Sequence, residues 1–146
     1  MNKLLAIIIT TLAIATCGNT GNSISYIVMD HYFVNNDLGA APCCVVRTQA
    51  EFDRLFGAAA VMGKDGEPTP VDFSKEFVIA VSLEPTDIAT TIEPVSFEKN
   101  TDGKLVFTYS VKTGEKMSYN IQPCLLVKVA NSNKGEVVIE SQTTQN

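Results

Sequence analysis

Eight consecutive residues, Glu76-Phe77-Val78-Ile79-Ala80-Val81-Ser82-Leu83, constrain the fold more than any other segment. The run is apolar without alternation, as expected of a central strand covered on both faces. Further strands follow at short intervals. Thr91 to Glu98 is interrupted by Pro94, which marks an edge or a bulge. Asn100-Thr101-Asp102-Gly103 reads as a hairpin turn, with Asp-Gly supplying the positive φ values such turns require. Leu105, Phe107, Tyr109 and Val111 then alternate with Val106, Thr108 and Ser110, the pattern of a half-buried strand. A turn at Thr113-Gly114-Glu115 leads to a strand over Tyr119 to Val129, and Asn133-Lys134-Gly135 leads to Val137-Val138-Ile139.

Upstream, residues 24–34 read as a first strand and Asn35 to Gly39 as a turn cluster. Cys43 to Arg47 is a short strand leading into one helix. Thr48 and Glu51 form a capping box, and Phe52, Leu55, Phe56 and Ala59 recur at helical spacing, with Gly57 as a point where the helix loosens. Gly63 to Asp72 is a loop. The expected fold is an α+β domain over residues 24–142, an antiparallel β meander or a small open barrel with one packed helix. Residues 143–146 form a tail.

The first 17 residues decide the compartment. Lys3 is followed by an apolar stretch from Leu4 to Ile14, about half the 20 or so residues a membrane-spanning helix needs. That order is the layout of an export signal over residues 1–16. Ala13-Ile14-Ala15 fits an ordinary secretory cleavage site, whereas Ile14-Ala15-Thr16-Cys17 resembles the lipobox of bacterial lipoproteins. In that family the cysteine is acylated and becomes the new N-terminus, although Thr16 departs from its preference for Gly, Ala or Ser. The resemblance implies lipidation at Cys17, with residues 17–23 as a flexible tether. The protein is then expected in the exported bacterial cell envelope, lipid-anchored at a periplasmic or outer-membrane surface.

Removing residues 1–16 takes away Lys3, so 11 basic and 16 acidic side chains become 10 and 16, a net charge of −6. Such a domain is poorly suited to nucleic acid, whose phosphates must be met by Lys and Arg. Docking on anionic lipid by charge is equally disfavoured, so membrane association rests on the acyl chains.

Few residues carry chemistry. The chain has one histidine, His31, and a hydrolytic dyad would need it beside Cys43, Cys44 or Cys124. A metal site is disfavoured because adjacent Cys43 and Cys44 point to opposite faces of a strand. No cofactor motif is present. An exported compartment permits disulfides, and only one of Cys43 and Cys44 faces any single partner. The two open readings are one bridge from Cys43 or Cys44 to Cys124, or three small buried apolar thiols.

Three segments, Pro70 to Val81, Asp102 to Val106 and Gln122 to Val129, together resemble the C-terminal domain family of the protease-complex subunit PrcB. That family carries an aspartate-phenylalanine-serine-lysine-glutamate segment leading into an apolar strand, a glycine-lysine hairpin and a late strand near Pro123. The resemblance implies a partnership with an extracytoplasmic protease. After the central strand the family has a glycine-rich, tyrosine-containing turn. Here the segment reads Glu84-Pro85-Thr86-Asp87-Ile88-Ala89-Thr90-Thr91, which keeps Pro85 and Thr86 and loses the glycines and tyrosine.

Taken together, the sequence points to binding and not to catalysis. The favoured expectation is a lipoprotein binding module, an accessory or inhibitor of a protease, with Glu84, Pro85, Thr86, Asp87 and Ile88 as the contact loop. The alternative is an envelope structural or adhesion domain that binds glycan or another surface protein.

Overall fold

The computed structural model describes residues 22–38 and 40–142. The expected export signal, Cys17 and the expected tail 143–146 lie outside the described residues. The elements in chain order are β1 (Ile27–Met29), β2 (Tyr32–Val34), β3 (Cys43–Val46), α1 (Gln49–Leu55), β4 (Phe56–Ala58), β5 (Glu76–Ser82), β6 (Thr86–Lys99), β7 (Leu105–Ile121), β8 (Cys124–Ala130) and β9 (Val137–Gln142). Among the described residues the fold is mostly strand with a single helix, and no sheet closes on itself.

β5 is the centre of a four-stranded sheet ordered β1-β8-β5-β3. Its side chains alternate between two cores, as its unbroken apolar sequence requires. Phe77, Ile79 and Val81 face one cluster with Phe97, Leu105, Phe107, Leu125 and Val127. Val78 and Ala80 face the other, with Met29, Phe52, Leu55, Phe56 and Leu126. One core therefore lies under a second sheet, β6-β7-β9, and the other under the helix and the β2-β4 pair.

The second sheet is the continuation of the first. β5 pairs with β8 up to Ser82↔Cys124, the Leu83 amide donates to the Pro123 carbonyl at 3.0 Å, and β6 resumes pairing with β7 at Thr86↔Ile121. One long hairpin thus runs from Glu76 to Ala130, with its tip at Asn100–Gly103. Since Phe97 and Phe107 pack in the same core as Phe77 and Ile79, the hairpin must bend back over itself. The bend falls where pairing is irregular, with register shifts between Thr86 and Ile88 and between Ile88 and Thr90. Bulges add twist and let a ribbon turn a corner.

Several expectations are met and several are corrected. The tip turn forms as read: Gly103 has φ 81°, and Asn100 Oδ1 accepts from the Asp102 and Lys104 amides at 3.0 and 2.9 Å. A bulge falls at Pro94, which sits on edge strand β6. Thr113-Gly114-Glu115 is not a turn: β7 runs through it, and Thr113 pairs with Thr90. The chain instead breaks at Gln122-Pro123, where proline has no amide to give to a ladder. β9 joins β7 in parallel. The first strand divides at Asp30-His31, with His31 at φ 64°.

The helix begins as read, with Thr48 Oγ1 accepting from the Glu51 amide at 3.2 Å. It ends sooner. Phe56 is already extended at φ −131°, ψ 143°, and Ala59 is exposed, outside the predicted stripe. Gly57 explains the change: a Cβ there would overlap the Phe33 ring, so its absence admits that ring and lets β4 pair with β2. A helix this short has little stability of its own to oppose that pairing.

Candidate functional site

The bend of the long hairpin gathers the residues with the most to offer a partner. On one strand stand Glu84 and Pro85, both exposed, followed by half-buried Thr86, Asp87 and Ile88. They are not a loop, as the sequence suggests. Thr86 to Ile88 open β6, and Thr86 Oγ1 accepts from the Ile88 amide at 3.1 Å. Glu84 Oε1 accepts from the Ala41 amide at 3.2 Å, tying the corner to the segment before β3.

The opposite strand supplies what sequence reading missed. Two steps along β6, Thr86 to Ile88, face five along β7, Ile121 to Lys116. The four residues Met117 to Asn120 thus face Asp87 alone and form a bulge, in which Tyr119 is 62% exposed. Lys116 Nζ pairs with Asp87 Oδ2 at 3.1 Å, and further along the same ribbon Lys112 Nζ pairs with Glu93 Oε2 at 2.7 Å. Exposed pairs of this kind contribute at most about 1 kcal/mol each, so the backbone ladder sets how the two strands face and the pairs lie along it. The corner thus presents an aromatic ring, a proline and a rim of paired charges on a hydrogen-bonded ribbon. Such a surface suits recognition, since a rigid scaffold holds an exposed aromatic anchor in place. The one sequence signal is Tyr119 itself, which the sequence places at the start of a strand after the Thr113-Gly114-Glu115 turn.

The other singled-out residues are not brought together. His31 Nε2 donates to the Asp65 carbonyl at 3.1 Å, in an open cavity of about 460 Å³ lined by Asp30, His31, Lys64, Asp65, Glu67 and Thr69. No cysteine lines it. Thr69 is held in place from β1–β2, with the Asp30 amide donating to Thr69 Oγ1 at 2.9 Å and Tyr32 OH to the Thr69 carbonyl at 2.6 Å.

Cys43, Cys44 and Cys124 are free thiols, which corrects the reading of a bridge from Cys43 or Cys44 to Cys124, and Cys43 is exposed, which corrects the reading of three buried thiols. The reason is topological. β5 lies between β3 and β8, so their backbones stand about two interstrand spacings apart, roughly 9.6 Å. Disulfides need Cα atoms within about 7 Å. Burial pushes all three thiols up from their ordinary value; for Cys44 the nearby Glu51 carboxylate adds to it. A raised thiol is a poor nucleophile at neutral pH. Among the described residues no group of three or more His, Cys, Asp or Glu is placed to hold a metal ion, and no helix is long and apolar enough to cross a membrane.

No protein-family model, no curated protein and no solved structure matches this chain.

Proposed function

We propose that this chain is an exported, lipid-anchored binding module of the bacterial cell envelope that docks a protein partner, an extracytoplasmic protease, through the corner of its bent hairpin. The observation that carries this reading is the bulge at Met117 to Asn120, which sets exposed Tyr119 opposite the stretch from Thr86 to Ile88, the strand that Glu84 and Pro85 lead into. The export signal, the lipobox-like Cys17 and the resemblance to the PrcB C-terminal domain family support the compartment and the partner class. Recognition would rest on Tyr119 as an anchor, with Thr86, Asp87 and Ile88 alongside it. Lipid at Cys17 would hold the module near envelope partners.

The test is to measure peptidase activity in envelope fractions with and without added protein, and then with Tyr119→Ala and with Pro85→Ala/Thr86→Ala. A change in activity produced by the wild type and lost in both variants supports the reading. Retention of the wild type on envelope polysaccharide, with peptidase activity unchanged, would favour the glycan-binding alternative.

A further inference from the structure

The N-terminal residues that the structure describes lie at the end of the domain opposite the corner. The Lys99 amide donates to the Asn22 carbonyl at 2.8 Å, Ser23 bridges Glu98, and the Ile24 amide donates to the Phe97 carbonyl at 2.8 Å. These contacts pin the start of the domain to the last residues of β6, beside the hairpin tip. The turn between β8 and β9 lies there too. A shallow cavity of about 420 Å³ is lined by Asn22, Ser23, Lys99, Ser132, Asn133 and Lys134. β5 and β8 span the distance between the two ends, with Glu76↔Ala130 at this one and Ser82↔Cys124 at the corner. Seven strand residues at about 3.3 Å each put the ends roughly 20 Å apart, before the depth of the bulge is added.

Two further facts bear on this end. Four residues, Gly18 to Gly21, separate Asn22 from Cys17. A chain advances at most about 3.6 Å per residue, so Cys17 stays within about 18 Å of Asn22. The charge here is also balanced. Lys99, Lys104 and Lys134 stand with Glu98, Asp102 and Glu136, and Lys104 Nζ is paired with Glu136 Oε2 at 3.4 Å. The net charge of −6 on the chain after residue 16 therefore belongs to the other surfaces.

We infer that the end formed by Asn22, Lys99, the Asn100–Gly103 turn and Ser132–Lys134 is the face that meets the phospholipid headgroups, and that the Tyr119 corner points away from the bilayer. The inference rests on the acylation of Cys17 proposed above. A short tether brings this end to the surface first. Anionic headgroups repel the acidic remainder over a Debye length of about 8 Å, and the neutral end escapes that repulsion. A partner then reaches the corner from the aqueous side.

The chain contains no tryptophan, so a single introduced one reports position cleanly. Full-length acylated protein carrying Ser132→Trp or Tyr119→Trp is reconstituted into vesicles of phosphatidylethanolamine and phosphatidylglycerol doped with dansyl-phosphatidylethanolamine. Strong energy transfer to the dansyl lipid from the Ser132→Trp protein, and little from the Tyr119→Trp protein, is the expected result. Lys134→Trp, exposed in the same turn, serves if Ser132→Trp disturbs folding. Vesicle-bound protein with equal transfer from both positions, or more from position 119, overturns the orientation and leaves the anchor standing. Protein that stays in the supernatant when the vesicles are sedimented overturns both.

Discussion

Alanine substitution at three described glycines with positive φ, Gly63, Gly103 and Gly135, separates backbone strain from steric overlap within one protein. Gly63 has φ 121° with nothing within 4 Å of the place a methyl group would take, and Gly103 has φ 81° with only the flexible Lys99 Cε at 3.9 Å. Gly135 has φ 143°, and a Cβ there would fall 2.6 Å from the Gly103 carbonyl oxygen and 3.3 Å from Leu105 Cγ. A left-handed backbone costs alanine about 1–2 kcal/mol, offset in part by the smaller freedom of its unfolded chain. Gly63→Ala and Gly103→Ala should each lose about 1 kcal/mol on that basis. At Gly135 the overlap is with backbone, which no rotamer relieves. The turn must move, and the 2.8 Å bond from the Leu105 amide to the Glu136 carbonyl, where β9 meets β7, is stretched or broken. Overpacking and a lost hydrogen bond add about 2 kcal/mol, giving about 3 in all for Gly135→Ala. Urea unfolding followed by far-ultraviolet circular dichroism gives each loss by linear extrapolation. If Gly135→Ala is no more costly than Gly63→Ala, the two turns do not pack as described.

Three other outcomes follow from the same geometry. Phe107 is fully buried, pairs with Phe97 across the ribbon and meets Tyr26 edge-on at 5.9 Å, so Phe107→Ala should lose about 4 kcal/mol in urea unfolding. A loss under about 1 kcal/mol would mean that the hairpin does not fold back over β5. Reducing agent should leave the unfolding midpoint unchanged, and Cys43, the exposed thiol, should be alkylated before Cys44 and Cys124. A reductant-dependent midpoint would reveal the bridge that the strand order forbids. Because burial raises the Cys44 and Cys124 thiols in the folded state, the unfolded chain releases those protons first. Stability should therefore be intact below the ordinary thiol value and fall as pH rises through the raised one. An unfolding midpoint flat across that alkaline range in the wild type would refute this sign.

What the sequence made legible was whatever depended on local pattern. β5 showed itself because a strand packed on both faces has no polar residues to interrupt it. The hairpin tip and the Pro94 bulge showed themselves because Gly103 permits the positive φ of a tight turn and Pro94 has no amide to give to a ladder. Gly114 misled for the same reason. Its neighbours have turn composition, but pairing of Thr113 with Thr90 and Lys116 with Ile88 overrides that local preference. The parallel docking of β9, the loss of the last helical turn to β2 pairing, and the separation of Cys43 and Cys44 from Cys124 all depend on which distant strands become neighbours. No window of sequence contains that information. The corner is half legible: Pro85 and Thr86 mark one side of it, though as a loop and not as the opening of β6, while the facing bulge arises from a mismatch in residue number that only the register exposes.

The role in binding proposed for the corner is tested most directly by placing a photo-crosslinking amino acid at position 119 in the full-length protein within intact cell envelopes. A second protein carries it at position 53, an exposed site on α1. Light-dependent capture of a discrete peptidase from position 119, absent from position 53 and abolished by Pro85→Ala/Thr86→Ala, is the expected result. Equal capture from both positions, or capture from position 53 alone, would contradict recognition through the corner.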